Sequence, residues 1–207
     1  MGLAYQIGYY LSRAVANCCF DYRVIGRENI PHEGGVILAM NHESFLDPPL
    51  AGIACDREIY YLARKSLLQW PILGRLFPKM NVVPVDEKGG DMSALKTVIR
   101  LVKDGNGTVI FPEGTRSRDG KLQPAQSGLG LIVSKTRVPV VPMRIFGAFE
   151  AFPAHARKLH LSPITIVIGK PMFFAPEDIA GEPKEVYRRI SEAVMARIAA
   201  LQIPPCL

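Results

Sequence analysis

The sequence predicts an α/β domain, a mixed and largely parallel sheet flanked by helices, with an N-terminal helix suited to an interface. Three observations predict it. Apolar blocks of buried-strand length alternate with helical segments along the chain. Polar or glycine-containing turns separate them, and no repeat, low-complexity tract or linker breaks the alternation. The chain has 207 residues, 48% of them hydrophobic, enough to bury one core without disulfides or a metal. Residues 1–20 read as the N-terminal helix and residues 21–207 as a single domain.

Taken in order, residues 2–20 are nearly all apolar but carry Arg13 in the middle, which argues against a transmembrane span. Gln6, Arg13 and Asn17 fall on one narrow stripe, leaving a wide apolar face with Tyr5, Tyr9 and Tyr10. Such a face suits a membrane interface and equally suits packing on the domain's own core. Residues 21–27 alternate like a strand. Gly34-Gly35 opens the apolar block Val36-Ile37-Leu38-Ala39-Met40, which ends at Asn41-His42. Pro48-Pro49 starts a short helix to Cys55, proline being tolerated in a first turn. Residues 58–62 and 82–85 read as strands, 65–77 as broken helix and 91–102 as an amphipathic helix. Strands follow at 108–111, 139–146 and 164–168, with a helix at 127–135. The apolar spacing of Val186, Ile190, Val194, Ile198 and Leu201 marks a closing helix.

Lysine and arginine number 25 against 19 acidic residues, a formal charge of +6, which favours anionic partners. Nucleic acid is the weakest of these, because there is no basic run, zinc spacing or aromatic ribonucleoprotein signature. Cys18, Cys19, Cys55 and Cys206 show no CxxC or ordered disulfide spacing, and no cleavable signal is present, so a reducing, cytoplasmic setting is expected. His32, His42, His155 and His160 show no metal-ligand spacing, so no metal is expected.

Two segments carry candidate chemistry, and both follow an apolar strand, where α/β domains project residues beyond the strand ends. In Asn41-His42-Glu43-Ser44-Phe45-Leu46-Asp47, a histidine can accept a proton from a hydroxyl while a carboxylate on its other ring nitrogen fixes the tautomer. Ser44 and Asp47 also form a helix-capping pattern, and both jobs suit one aspartate. In Phe111-Pro112-Glu113-Gly114-Thr115-Arg116-Ser117-Arg118, a glycine permits a tight turn, a glutamate can accept from hydroxyls, and two arginines offer forks for phosphate.

Together these residues resemble the lysophosphatidic acid acyltransferases, the 1-acyl-glycerol-3-phosphate or PlsC-like family. Its first block, Asn-His-x-Ser-x-x-Asp, is complete in Asn41, His42, Ser44 and Asp47, and its third block is complete in Phe111 through Ser117. Weaker correspondences run from about residue 23 to residue 171, including Ala63-Arg64-Lys65-Ser66 and Val138 to Pro142. The resemblance implies the glycerolipid acyltransferase fold. It implies His42 as general base, Asp47 as its orienting carboxylate, and Glu113, Gly114, Thr115, Arg116, Asn41, Ser44 and Lys65 as substrate-binding residues. It further implies acyl-CoA or acyl carrier protein as donor, no separate cofactor, a lysophospholipid acceptor, and attachment to the cytoplasmic face of a membrane as a peripheral or monotopic protein. The second block departs, because Val83-Pro84-Val85-Asp86 is followed by Glu87 where the family has arginine, with Lys88 the nearest cation. An ammonium does not replace a guanidinium fork on phosphate, so 1-acyl-glycerol-3-phosphate stands beside another lysolipid or hydroxylated lipid as the acceptor. A hydrolase using Ser44 or Ser127 and a non-catalytic lipid-binding protein are the alternatives of another class. The Ser127 segment lacks both glycines of a nucleophile elbow.

Overall fold

The computed structural model describes residues 2–69, 73–85, 91–156 and 158–205. Among these residues seven strands form one sheet: β1 (Arg23–Ile25), β2 (Val36–Met40), β3 (Ile59–Arg64), β4 (Val82–Val85), β5 (Gly107–Ile110), β6 (Val140–Phe146) and β7 (Thr165–Ile168). Their order is β1-β7-β6-β2-β5-β3-β4. Every pairing is parallel except β6 with β7. The mixed, largely parallel sheet expected from the alternation is therefore present.

The helices are α1 (Leu3–Phe20), α2 (Asp47–Ile53), α3 (Leu73–Leu76), α4 (Asp91–Lys103), α5 (Gly128–Thr136), α6 (Ala148–Ala151) and α7 (Pro183–Ala200). The broken helix expected over 65–77 is an alternation of 3-10 turns, at Lys65–Gln69 and Phe77–Met80, with the short α3. The four-residue α6 was not legible in the sequence, since a single turn has no periodicity to detect.

β2 lies at the centre and is buried on both faces, which is why it reads as an unbroken apolar run. Val36, Leu38 and Met40 point into a core shared with α1, α2 and the inner residues of β6 and β7. Ile37 and Ala39 point into a second core built with α4, α5 and α7. On that side Gly130 lets α5 come up against the backbone of Tyr187 in α7, and its amide donates to Ser191 Oγ at 3.0 Å.

α1 packs one face on the core and leaves the other exposed. Tyr5, Tyr9, Ala16 and Phe20 belong to the first core, whereas Leu3, Ile7, Tyr10, Leu11 and Val15 are exposed. The helix thus shares a core with the strands that follow residue 21. Among the described residues no helix is long and apolar enough to cross a membrane.

Candidate active site

Because β2, β5, β3 and β6 run parallel, their carboxyl ends share one edge of the sheet. The chain leaves β2 into residues 41–47 and β5 into residues 111–117 at neighbouring positions of that edge. His42 Nδ1 lies 2.7 Å from Asp47 Oδ2. The same oxygen accepts the amides of Glu43 at 2.7 Å and Ser44 at 2.8 Å, so three donors converge on one atom of a fully buried carboxylate. This arrangement puts the ring proton on Nδ1 and leaves the Nε2 lone pair for a substrate hydroxyl. Asp47 is the first residue of α2, whose cap, Leu46, makes no side-chain bond. The aspartate serves the histidine and its own turn, and the helix-cap reading of it is not what the structure shows.

The turn is braced from two sides. On the β5 side, the His42 amide donates to Glu113 Oε1 at 2.8 Å, the Gln123 amide to Glu113 Oε2 at 2.9 Å, and the Ser117 amide to the His42 carbonyl at 2.7 Å. The His42 ring stacks on Phe111, centroids 3.9 Å apart. On the β6 side, Asn41 accepts from the Ile145 amide at 2.8 Å and donates to the Ile145 carbonyl at 3.2 Å. Glu43 accepts from the Phe149 amide at 3.2 Å and from Asn41 Nδ2 at 3.3 Å. Ser44 Oγ donates to the Phe152 carbonyl at 2.7 Å and accepts the Leu46 amide at 3.1 Å.

Asn41, Ser44 and Glu113, expected on the substrate, are buried and direct their polar atoms at protein groups. They hold the turn in place, because a buried polar group left without a partner would cost roughly 1–3 kcal/mol. Ser44, with its hydroxyl engaged away from His42, is not poised as a nucleophile, and Ser127 is an exposed residue heading α5.

The exposed residues of the third block are Gly114 and Thr115. Gly114 has φ +71°, a left-handed conformation that glycine adopts without strain, and it turns the chain so that Arg116 returns to the site. The Arg116 guanidinium lies 3.6 Å from the Phe45 ring centroid, and its Nη1 is buried without a partner among the described residues. Burial first, then the neighbouring Arg64 charge, lower its pKa. A fixed planar fork with a buried, unengaged N–H is prepared for an anion. Lys65 is exposed at the head of the turn after β3, on the same edge of the sheet. Asp86, Glu87 and Lys88, where the second block departs, lie outside the described residues.

Two contributors were missed in the sequence. Phe45 and Glu43 occupy two of the three unassigned positions of the first block, and nothing in a linear pattern tells that one will carry Arg116 and the other will join the turn to α6. Burial first, then the charge of Asp47, push the Glu43 carboxyl up to about 8. Burial also raises Glu113 against the opposing effect of its two amide donors.

The site thus holds a histidine paired with a buried carboxylate beside a guanidinium with a buried, unengaged N–H, and Ser44 directs its hydroxyl away from the ring. Fold and site together define an O-acyltransferase, and comparison with known proteins agrees. A family model described as Acyltransferase matches residues 21–146. The chain is 31% identical over 183 residues to the 1-acyl-sn-glycerol-3-phosphate acyltransferase of Bacillus subtilis, covering 87% of each chain. It is 30% identical over 173 residues to a chloroplastic 1-acyl-sn-glycerol-3-phosphate acyltransferase of Brassica napus, covering 82% of this chain but about half, 49%, of that one. The crystal structure of the 1-acyl-sn-glycerophosphate acyltransferase PlsC of Thermotoga maritima superposes with a TM-score of 0.76 at 27% identity, over 97% of this chain and 81% of that one. The chain belongs to the acyltransferase family, and its relatives place it among enzymes of phospholipid biosynthesis.

Proposed function

We propose that this O-acyltransferase moves a fatty acyl group from acyl-CoA or acyl carrier protein to the free hydroxyl of 1-acyl-glycerol-3-phosphate, giving phosphatidic acid. The observation that carries the reading is the pairing of His42 Nδ1 with Asp47 Oδ2 at 2.7 Å beside the stacked, anion-ready Arg116. His42 Nε2 takes the acceptor's hydroxyl proton as that oxygen attacks the thioester carbonyl. The tetrahedral intermediate then expels the thiolate, which recovers the proton from the imidazolium. No acyl-enzyme forms, and Asp47 stabilises the ring while it is charged. Base assistance supplies about 10²–10⁴-fold of rate, so positioning by the two-sided brace carries much of the rest. Arg116, with Lys65, receives the acceptor phosphate. Names of relatives that act on 1-acyl-sn-glycerol 3-phosphate support this acceptor, and Glu87 in the second block favours another lysolipid as the second reading.

We place the protein on the cytoplasmic face of a membrane, held by the outward apolar face of α1. Leu3, Ile7, Tyr10, Leu11 and Val15 repeat at helical spacing on that face, and residues 3–20 contain no acidic side chain.

The test is a panel of lysolipid acceptors offered with acyl-CoA and with acyl carrier protein donors to wild type, His42→Ala and Ser44→Ala. Acylated lipid from wild type, almost none from His42→Ala and a milder loss in Ser44→Ala is the expected pattern. Preference for a phosphate-free or larger-headgroup acceptor selects the second reading. Free fatty acid as sole product would overturn acyl transfer to lipid, and vesicle binding without turnover of any donor would leave a lipid-binding module.

A further inference from the structure

We infer that the segment from His155 to Leu161 is a second bilayer contact, seating the protein on an anionic phospholipid surface beside the catalytic turn. The inference rests on the lipid-acyltransferase reading above and gives it a docking geometry. Leu159 and Leu161 are 49% and 72% exposed, two large apolar side chains one residue apart with nothing covering them among the described residues. They are interleaved with exposed cations or imidazoles at His155, Lys158 and His160. The sequence adds Arg157, outside the described residues, and places no carboxylate anywhere between residues 151 and 163.

The segment is held in place rather than loosely looped. The Ala156 amide donates to Pro153 O at 3.0 Å, the His160 amide to Ala151 O at 2.9 Å and Ser162 Oγ to Gly147 O at 3.1 Å. At one end Pro153 bridges Ser44 of the catalytic turn, and the ring of Phe152 lies 5.8 Å from that of Phe45. At the other end the Ile164 amide donates to Phe20 O at 2.8 Å, the last residue of α1. The described residues of this segment therefore contact both the His42 turn and the end of the helix whose outer face is apolar and free of acids.

An anionic bilayer is the occupant that matches both properties, because leucines enter the acyl boundary while the adjacent, exposed Lys158 meets headgroup phosphates. A purely apolar protein partner would have no use for the interleaved cations, and an acidic partner none for the leucines. Leu159 and Leu161, exposed on a segment tied by backbone bonds to the end of α1, add a second uncovered apolar patch to that of the helix.

The experiment uses the full chain and vesicles of equal parts phosphatidylglycerol and phosphatidylcholine, or phosphatidylcholine alone. Flotation is measured together with turnover of a bilayer-embedded acceptor and of a short-chain acceptor dispersed as monomers. The double variant Leu159→Ser, Leu161→Ser should bind anionic vesicles at least about tenfold more weakly and lose turnover of the embedded acceptor in proportion, with dispersed-acceptor turnover within about twofold of wild type. Lys158→Glu, a change at the surface, should lose about tenfold in affinity for the anionic vesicles and little for the neutral ones. Wild-type flotation by both variants overturns the inference, as does a wild type that fails to float. Absence of turnover with every acceptor overturns the enzymatic reading instead, and flotation then still decides the membrane contact.

Discussion

Asp47→Asn removes one charge from the buried end of the histidine pair while nearly keeping its shape. The amide oxygen can occupy the place of Oδ2 and keep its three donors, the His42 ring and the amides of Glu43 and Ser44. The tautomer is then preserved, and what is lost is the carboxylate opposite the imidazolium that forms as His42 takes the acceptor's proton. Unit charges about 4 Å apart in an effective dielectric near 20 interact by on the order of 4 kcal/mol, which corresponds to about a thousandfold in rate. The new NH₂ replaces Oδ1, a buried atom without a partner among the described residues, and an unsatisfied buried donor costs about 1–3 kcal/mol. At this chain length each kcal/mol lowers Tm by about 2–4 °C, so the variant stays folded at assay temperature. Thiol released from an acyl-CoA donor, followed with a thiol-reactive dye, should show kcat down about a thousandfold with KM for the acceptor little changed. A folded Asp47→Asn protein whose kcat stays within tenfold of wild type would refute the charge-stabilised base.

Further outcomes follow from the same geometry. Glu43, at about 8 against an ordinary 4.5, keeps its proton in the folded chain through a window where the unfolded chain has lost it. Its contribution is whole below about pH 4.5, declines by up to about 1.4 kcal/mol per pH unit and is gone above about 8. The carboxylates facing it are Asp47, Glu150 and Glu113, so Glu43→Gln should flatten the fall of denaturation midpoint between pH 5 and 8, and an unaltered slope would exclude Glu43 as its source. Arg116→Lys and Phe45→Ala should raise the acceptor KM about tenfold or more while sparing kcat, since one loses the planar fork and the other its stacking partner; equal losses in kcat would place Arg116 in the transition state instead. Ser44→Ala leaves the Phe152 carbonyl and Leu46 amide short of a partner and should lower stability by about 1–3 kcal/mol, read as a shifted urea midpoint. Removing α1 outright should abolish folding because Tyr5, Tyr9, Ala16 and Phe20 are core residues. Ile7→Ser with Leu11→Ser, outside that core, should keep the melting temperature and weaken vesicle flotation.

How much was legible in the linear chain differs between fold and site. Strands β2 and β4 could be bounded to the residue, β2 because a buried parallel strand is a continuous apolar run, and β4, an edge strand with no buried residue, because Asn81 and Asp86 punctuate a short apolar run. β1 is shorter than its alternation suggested, since the chain turns at Gly26, whose φ of +80° ends the extended run. α1 was ambiguous for a physical reason: a helix with one polar stripe and a wide apolar face gives the same periodicity whether that face meets a core or a bilayer, and the tertiary structure shows that the Tyr5 side meets the core.

The sequence by itself determined the α/β alternation, the two strand-end blocks and the pairing of His42 with Asp47, because all of these are set by residues close in the chain and by spacings that local backbone geometry converts into contact. Only the tertiary structure decided that Asn41, Ser44 and Glu113 bond to buried groups around the turn, that Phe45 carries Arg116, and that Pro153 and Ile164 reach the site and the end of α1. Each of those facts joins segments brought together by the strand order of the sheet. A linear pattern names the groups available for hydrogen bonding, whereas the folded chain decides which buried partner takes each one.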